Sequence, residues 1–225
     1  MSNSDLGEGV RTVAPVLLGV VPFALVAGVA AASAGLSLLE AMGMSVIVFA
    51  GASQLAALDL LSQDAPLAVV VVTAAVINLR MMMYSASIAP HFRSVSARWK
   101  AVLSYLLTDQ AYALSLTRFG EDDEVDRKRF YLGVAATLWV VWQLGTIAGV
   151  VLGAGVPDSW GLEFAVPLVF LAVLVPALED RASIVAGAVA AVVAIVGGGL
   201  PLNLGLLVAA AVGIAVGMTF EEVAA

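Results

Sequence analysis

The sequence predicts an all-α protein: a polytopic bundle of transmembrane helices forming a single integral-membrane domain over residues 1–225. Hydrophobic residues make up 62% of the chain, charged residues only 12%, and the mean hydropathy is +1.05, values that soluble domains do not approach. Uncharged runs long enough to cross a hydrocarbon core of about 30 Å recur along almost the whole chain. These runs are continuously apolar, without the alternation that membrane β-barrels show.

The apolar runs predict seven or eight membrane segments, some of them broken or re-entrant. They cover about 13–33, 41–61, 67–88, 101–116, 131–152, 164–178, 183–196 and 202–218. The count depends on 101–116, which is short and contains Asp109 and Gln110. This segment is a tilted span, an interfacial helix or a re-entrant segment.

The orientation depends on the same segment. The basic loop 91–100 is expected in the cytoplasm by the positive-inside rule. If 101–116 is re-entrant, the basic stretch near 127–129 lies on that side too; if it spans fully, the two basic stretches lie on opposite sides. Reading backwards from the loop through three full spans places the amino terminus outside.

The composition also excludes several kinds of site. The chain has no cysteine and a single histidine, which removes disulfides, thiolate chemistry and His- or Cys-based metal sites. No nucleophile–base pair is evident, so an intramembrane enzyme is not expected. We therefore expect no catalytic residue, no cofactor, no metal and no nucleic-acid partner, and the lipid bilayer is the surrounding medium.

The run FAGASQ at residues 49–54 places polar groups within an apolar segment. Small residues allow another backbone to approach closely, and Gln54 offers both hydrogen-bond donors and an acceptor. Such a string at mid-depth faces either a helix interface or a water-filled cavity. Helix–helix packing and substrate binding both remain open for Gln54 at this point.

Arg80 is the deepest cation of the predicted 67–88 segment. An arginine at a helix centre costs about 2.5–3.5 kcal/mol on translocon scales, so it needs an anion, carbonyl groups or an aqueous cavity. Tyr84 shares its helical face at i+4, whereas Asn78 lies on a different face. The alternative is that Arg80 extends to the cytoplasmic interface beside Arg93 and Arg98.

Asp109 is the second deep charge. Its neighbours are mostly apolar, and an apolar environment favours the neutral form of a carboxyl group. Asp109 is therefore either a proton-coupling site or the partner of Arg80. If segment 101–116 is only interfacial, Asp109 is a solvated aspartate.

Several short motifs resemble the AzlC family, the large subunit of branched-chain amino acid permeases. They are the pair Pro22-Phe23 with Gly28, FAGASQ at 49–54, NLR at 78–80 with Tyr84, and TDQ at 108–110, while LEFAVP at 162–167 fits a weaker half. The resemblance implies a multi-pass protein of the cell membrane that transports valine, leucine and isoleucine. It also implies a partner, a small hydrophobic AzlD-type membrane subunit.

Together, the residues and the resemblance suggest a site for a zwitterionic amino acid. Arg80, or free backbone N–H groups at breaks near Pro22 or Gly51, would meet the carboxylate, and transport would be passive or coupled to protons through Asp109. The expected substrate-binding residues are Pro22, Phe23, Gly28, Phe49, Gly51, Ser53, Gln54, Asn78, Arg80 and Tyr84. The alternatives are a channel or a structural membrane subunit for another small neutral solute.

Overall fold

The computed structural model describes residues 4–121, 124–153, 178, 180–199 and 204–224. The regular structure of these residues is entirely helical, which confirms the all-α prediction. Ten α-helices follow one another in the described residues: α1 Ser4–Val13, α2 Leu17–Ser33, α3 Leu38–Val48, α4 Gly51–Ser62, α5 Leu67–Ile88, α6 Ala97–Tyr105, α7 Asp109–Glu121, α8 Arg127–Gly153, α9 Arg181–Val196 and α10 Leu204–Ala224.

Two helical stretches of the described residues are long and apolar enough to cross a bilayer: Leu67–Phe92, which is α5 with a short 3-10 turn, and α8. The bent pair of α1 and α2, with 68° between its two helices, makes a third if it is counted as one span. The predicted number of seven or eight segments is therefore not confirmed. The predicted 164–178 segment lies outside the described residues except at position 178.

The predicted third segment matches α5 residue for residue, whereas two other predicted segments are broken. The 41–61 segment is divided into α3 and α4, and the 101–116 segment into α6 and α7. Of the two breaks expected near Gly51 and Pro22, the first is present, since α4 begins at Gly51, whereas Pro22 lies inside α2. At about 1.5 Å per residue, α3, α4, α6 and α7 each cover only about half of the bilayer core.

Local backbone geometry explains the break between α3 and α4. Ser37 and Glu40 form a capping box that starts α3, as expected of this residue pair. Phe49 then adopts the left-handed conformation, with φ 37° and ψ 49°, and Ala50 is extended. A left-handed residue followed by an extended one reverses the chain, and α4 begins at Gly51.

Helices α2 and α8 run in the same direction and pack closely through small residues. A Cβ atom added to Gly28 or Gly149 would overlap backbone atoms of the opposite helix. The contacts follow the same order along both helices: Ala24 with Gly145, Gly28 with Gly149 and Ala32 with Gly153. This is the small-xxx-small packing that membrane helices use.

Helices α3 and α4 form a re-entrant hairpin, here called hairpin A. Ser53 of α4 bonds to Asn78 of α5, and further along α4, Leu60 shares a buried cluster with Val70 near the start of α5. Helices α4 and α5 are therefore antiparallel. The end of α5 lies beside Tyr131 at the start of α8. Hairpin A therefore begins and ends at the face of the bundle that is opposite the start of α8.

Helices α6 and α7 form the second re-entrant hairpin, hairpin B, which enters from the other face. Along α6, Leu103 accepts a hydrogen bond from Tyr131 and Tyr105 accepts one from Trp139, so α6 follows the direction of α8. Helix α7 then returns, and its Phe119 packs on Phe130 at the start of α8. The two hairpins thus approach each other from opposite faces.

The basic residues gather at the face from which hairpin B enters. Lys128 lies 3.7 Å from the ring centroid of Trp99, which brings the loop 91–100 and the start of α8 together. Glu8 forms an ion pair with Arg118 at the same face, 2.6 Å between oxygen and nitrogen. The start of α1 therefore shares a face with both basic stretches, which contradicts the expectation that this end of the chain lies opposite the 91–100 loop. The positive-inside rule assigns this face to the cytoplasm.

Candidate functional site

A cavity of about 260 Å³ lies where the two hairpin tips meet α2, α5 and α8. Its volume is just below the roughly 300–1,000 Å³ of most ligand pockets, so it suits a small metabolite. The walls combine apolar rings with a few charged and amide groups. The lining residues are Val16, Gly19, Val20, Phe23, Phe49, Ala50, Gly51, Ala52, Arg80, Met81, Thr108, Asp109, Gln110, Leu138 and Trp142.

The charged part of the cavity is an ion pair between α5 and α7. Nη2 of Arg80 lies 3.1 Å from Oδ2 of Asp109, and about a third of each side chain is exposed. Within the described structure, Nε of Arg80 and Oδ1 of Asp109 are buried without a hydrogen-bond partner. The pair therefore keeps one free donor and one free acceptor, and Tyr84 is within electrostatic range of both residues.

The first turns of α4 and α7 both reach the cavity, which places two helix N-termini at one site. Thr108 caps α7, since its hydroxyl accepts a hydrogen bond from the Ala111 N–H. Ala50 precedes α4 and supplies no side-chain cap. Among the described residues, no side chain caps the first turn of α4, so its N–H groups and the helix dipole favour an anion near Gly51.

The apolar part of the cavity is built from aromatic rings. Phe23 of α2 and Trp142 of α8 meet edge to face, with 5.4 Å between ring centroids and 74° between ring planes. Phe49 of hairpin A packs against Tyr105 of hairpin B at 6.1 Å between centroids. Charged groups from α5 and α7 therefore share one cavity with rings from α2, α8 and hairpin A.

Five of the predicted site residues line this cavity: Phe23, Phe49, Gly51, Arg80 and Asp109. Arg80 is paired with Asp109, which is one of the two roles that the sequence left open for the aspartate. The pair also gives Arg80 a counter-ion within the bundle, so the alternative of extension to the interface is not what the structure shows.

Three predicted residues lie beside the cavity without lining it. Ser53 is fully buried and donates to Oδ1 of Asn78 at 3.1 Å, which joins α4 to α5. Gln54 is 2% exposed, and its Oε1 has no partner among the described residues. The bond between Ser53 and Asn78 holds hairpin A against α5, and none of the three side chains lines the cavity.

Of the remaining three predicted residues, Pro22 and Gly28 are placed elsewhere, whereas Tyr84 lies beside the Arg80–Asp109 pair without lining the cavity. Pro22 is exposed on α2. Gly28 packs against the backbone of α8, where a Cβ would overlap the carbonyl of Thr146. Tyr84 stacks on Tyr112 of hairpin B, with 4.5 Å between ring centroids.

Sequence reasoning did not select Thr108, Gln110 or Trp142 as site residues, although all three line the cavity. A signal existed for the first two, because a threonine followed by an aspartate before an apolar run is a helix-start pattern. That pattern would have placed the start of α7 at a polar site. Trp142 lies in an apolar run and carries no comparable signal.

Comparison with known proteins assigns the family. A family model described as AzlC protein matches residues 15–156, and this stretch contains every residue that lines the cavity. This chain belongs to the AzlC family. It is a membrane protein whose apolar helices can span a bilayer, and its family and architecture are consistent with a transporter.

The relatives named in the same comparison are also membrane proteins. An uncharacterized membrane protein of Archaeoglobus fulgidus is 33% identical over 183 residues, which are 78% of each chain. The inner membrane protein YgaZ of Escherichia coli is 26% identical over 187 residues, 79% of this chain and 75% of YgaZ. An uncharacterized membrane protein of Helicobacter pylori is 28% identical over 158 residues, 69% and 68% of the two chains. No solved structure matches the chain.

Proposed function

We propose that this chain is the translocating subunit of a permease or exporter for branched-chain amino acids. The observation that carries the proposal is the Arg80–Asp109 pair, which lines the cavity with about a third of each side chain exposed. A zwitterionic amino acid offers the complementary groups, a carboxylate and an ammonium, at one end of the molecule.

The fit can be described group by group. The substrate carboxylate would accept from the exposed part of the Arg80 guanidinium, and the uncapped first turn of α4 would add a favourable helix dipole. The ammonium would donate to the exposed part of the Asp109 carboxylate. The branched apolar side chain would then contact the rings of Phe23, Phe49 and Trp142, as the mixed lining of the cavity allows.

Two hairpins that enter from opposite faces and meet at this site suit alternating access. Discontinuous helices whose ends meet at the membrane midplane are a recurring design of secondary transporters. The tips touch through Tyr105 of hairpin B, whose hydroxyl donates to the carbonyl of Val46 at 2.7 Å. Movement of one hairpin would open the cavity to one side only.

The proposal includes a coupling ion and a partner. Asp109 is the group through which a proton would act, because protonation would remove its negative charge and release Arg80. The family resemblance suggests a small AzlD-type membrane subunit as the partner of this chain.

The test is counterflow of labelled leucine in proteoliposomes, measured for this chain alone and with the small subunit. Arg80→Gln and Asp109→Asn should each raise the KM for leucine about tenfold or more, because each loses a hydrogen bond to a charged group, worth about 1.5–3 kcal/mol. A proton-coupled mechanism also requires that Asp109→Asn abolish accumulation driven by a pH gradient.

Two exposed residues provide matched controls. Arg98→Gln and Asp64→Asn make the same chemical changes outside the cavity, and Asn tolerates the positive φ of 55° at residue 64. Equal effects of site and control variants would refute the assignment of the site. Absence of counterflow with any neutral amino acid, with the partner present, would refute the function, and a non-saturating flux would favour a channel.

A further inference from the structure

The corner of the cavity at the start of α4 is packed unusually tightly. A Cβ atom on Gly51 would lie 2.6 Å from Cε1 of Phe23 and 2.7 Å from Cη2 of Trp142. Real Cβ contacts are not this short, so both rings rest directly on the backbone of α4. The position of these rings is thereby fixed relative to the tip of hairpin A.

Trp142 is also held from its polar side. Its indole N–H donates to Oγ of Ser45 at 3.1 Å, and Ser45 is fully buried in α3 while Trp142 is 6% exposed. The Phe23 ring meets the indole edge to face. A hydrogen bond, a ring contact and a backbone contact together leave the indole little freedom to change its rotamer.

The charged groups of the cavity come from α5 and α7, whereas these rings come from α2 and α8. A zwitterion held at Arg80 and Asp109 therefore leaves the apolar wall of α2 and α8 for its side chain. On the proposed function, the side chain would point toward Trp142 and Phe23. The rigid indole would then limit how large that side chain can be.

We propose that Trp142 is the residue that limits the size of the substrate side chain, and that Ser45 is the positioning residue that holds its ring. The site then accepts branched aliphatic side chains and rejects aromatic ones. This inference rests on the proposed function and adds to it the determinant of specificity.

The experiment measures competition against labelled leucine by unlabelled leucine, valine, isoleucine and phenylalanine in proteoliposomes. The readout is the ratio of the inhibition constants of phenylalanine and leucine. In the wild type, phenylalanine should compete at least about tenfold more weakly than leucine, the discrimination that a tight apolar pocket provides. Trp142→Phe should reduce this ratio about tenfold, because it removes the larger ring.

Ser45→Ala keeps the indole and removes only its hydrogen bond. It should reduce the ratio about threefold, the effect expected of one modest hydrogen bond. A purely structural role of Ser45 would lower the amount of folded protein without changing the ratio. Trp139→Phe is the matched control. This variant also loses an indole hydrogen bond, here to Tyr105, but Trp139 does not line the cavity. The ratio measured for this variant should equal that of the wild type.

The outcomes separate the two proposals. Leucine transport with an unchanged ratio in folded Trp142→Phe protein, or a wild type that does not discriminate, would overturn the inference and leave the proposed function intact. A wild type that transports no neutral amino acid would refute the proposed function and this inference with it.

Discussion

The contact between α2 and α8 leads to a stability prediction that is independent of transport. Gly28→Ala would place a Cβ within 3 Å of the Thr146 carbonyl, the Val150 nitrogen and the Gly149 Cα. All three are backbone atoms, so no side chain can turn away and the two helices must separate. We expect this substitution to destabilise the protein.

The magnitude follows from two opposing effects. Overpacking a well-packed contact costs about 1–3 kcal/mol, whereas alanine in place of glycine in a helix gains up to about 1 kcal/mol. Because the three nearest atoms to the added Cβ are all rigid backbone atoms, we expect the free energy of unfolding to fall by about 1–2 kcal/mol in total. For a chain of 225 residues, this corresponds to a fall in Tm of about 2–8 °C at roughly 2–4 °C per kcal/mol.

Gly43→Ala is the matched control. Gly43 lies inside α3, and a Cβ there would meet nothing within 4 Å. The same substitution should therefore raise Tm by a few degrees, since only the helix-propensity effect of about 0.5–1 kcal/mol acts. Thermal unfolding in one detergent at one scan rate measures both, and a Gly28→Ala protein at least as stable as Gly43→Ala would refute the packing argument.

Two further predictions test the hairpins. The chain lacks cysteine, so single cysteine variants report the topology of each hairpin directly. Ser33→Cys and Gln63→Cys should both react with an impermeant maleimide in intact cells. Arg98→Cys should react only after the cells are permeabilised. A full span at hairpin A would instead put Ser33 and Gln63 on opposite sides. Asn78→Ala should lower the free energy of unfolding by about 0.5–1.5 kcal/mol through the lost bond to Ser53; a higher KM for leucine at unchanged stability would instead place Asn78 in the binding site.

Apolar runs predicted the full-length helices well and the broken ones poorly. The bounds of α5 could be read from the sequence because Pro66 precedes it and a basic loop follows it. A break was expected near Gly51, but its exact geometry could not be read, because phenylalanine rarely adopts the left-handed conformation and alanine is a poor N-cap. Tertiary contacts at the tip of hairpin A, including Phe49 against Tyr105, hold this turn.

The polar residues of the site were easier to find than their roles. Arg80 and Asp109 were selected because charges in an apolar segment need partners, and the structure pairs them. Gly28 was assigned to substrate binding, although small residues four apart on two long helices, as at Gly145 and Gly149, are typical of helix packing. Comparing the spacing of small residues in both segments would have identified that interface from the sequence.

The position of the Arg80–Asp109 pair links substrate binding to movement of hairpin B. Arg80 lies on the full-length helix α5, whereas Asp109 begins the returning helix of the hairpin. Separating the two would leave the arginine unpaired, at a cost of up to about 2.5–3.5 kcal/mol on insertion scales, reduced by the partial exposure of both side chains. On the proposed function, a bound carboxylate would replace the lost counter-ion, so the loaded site would open more readily than the empty one. A ligand shifts a conformational equilibrium only by its difference in affinity for the two states, and this replacement supplies such a difference.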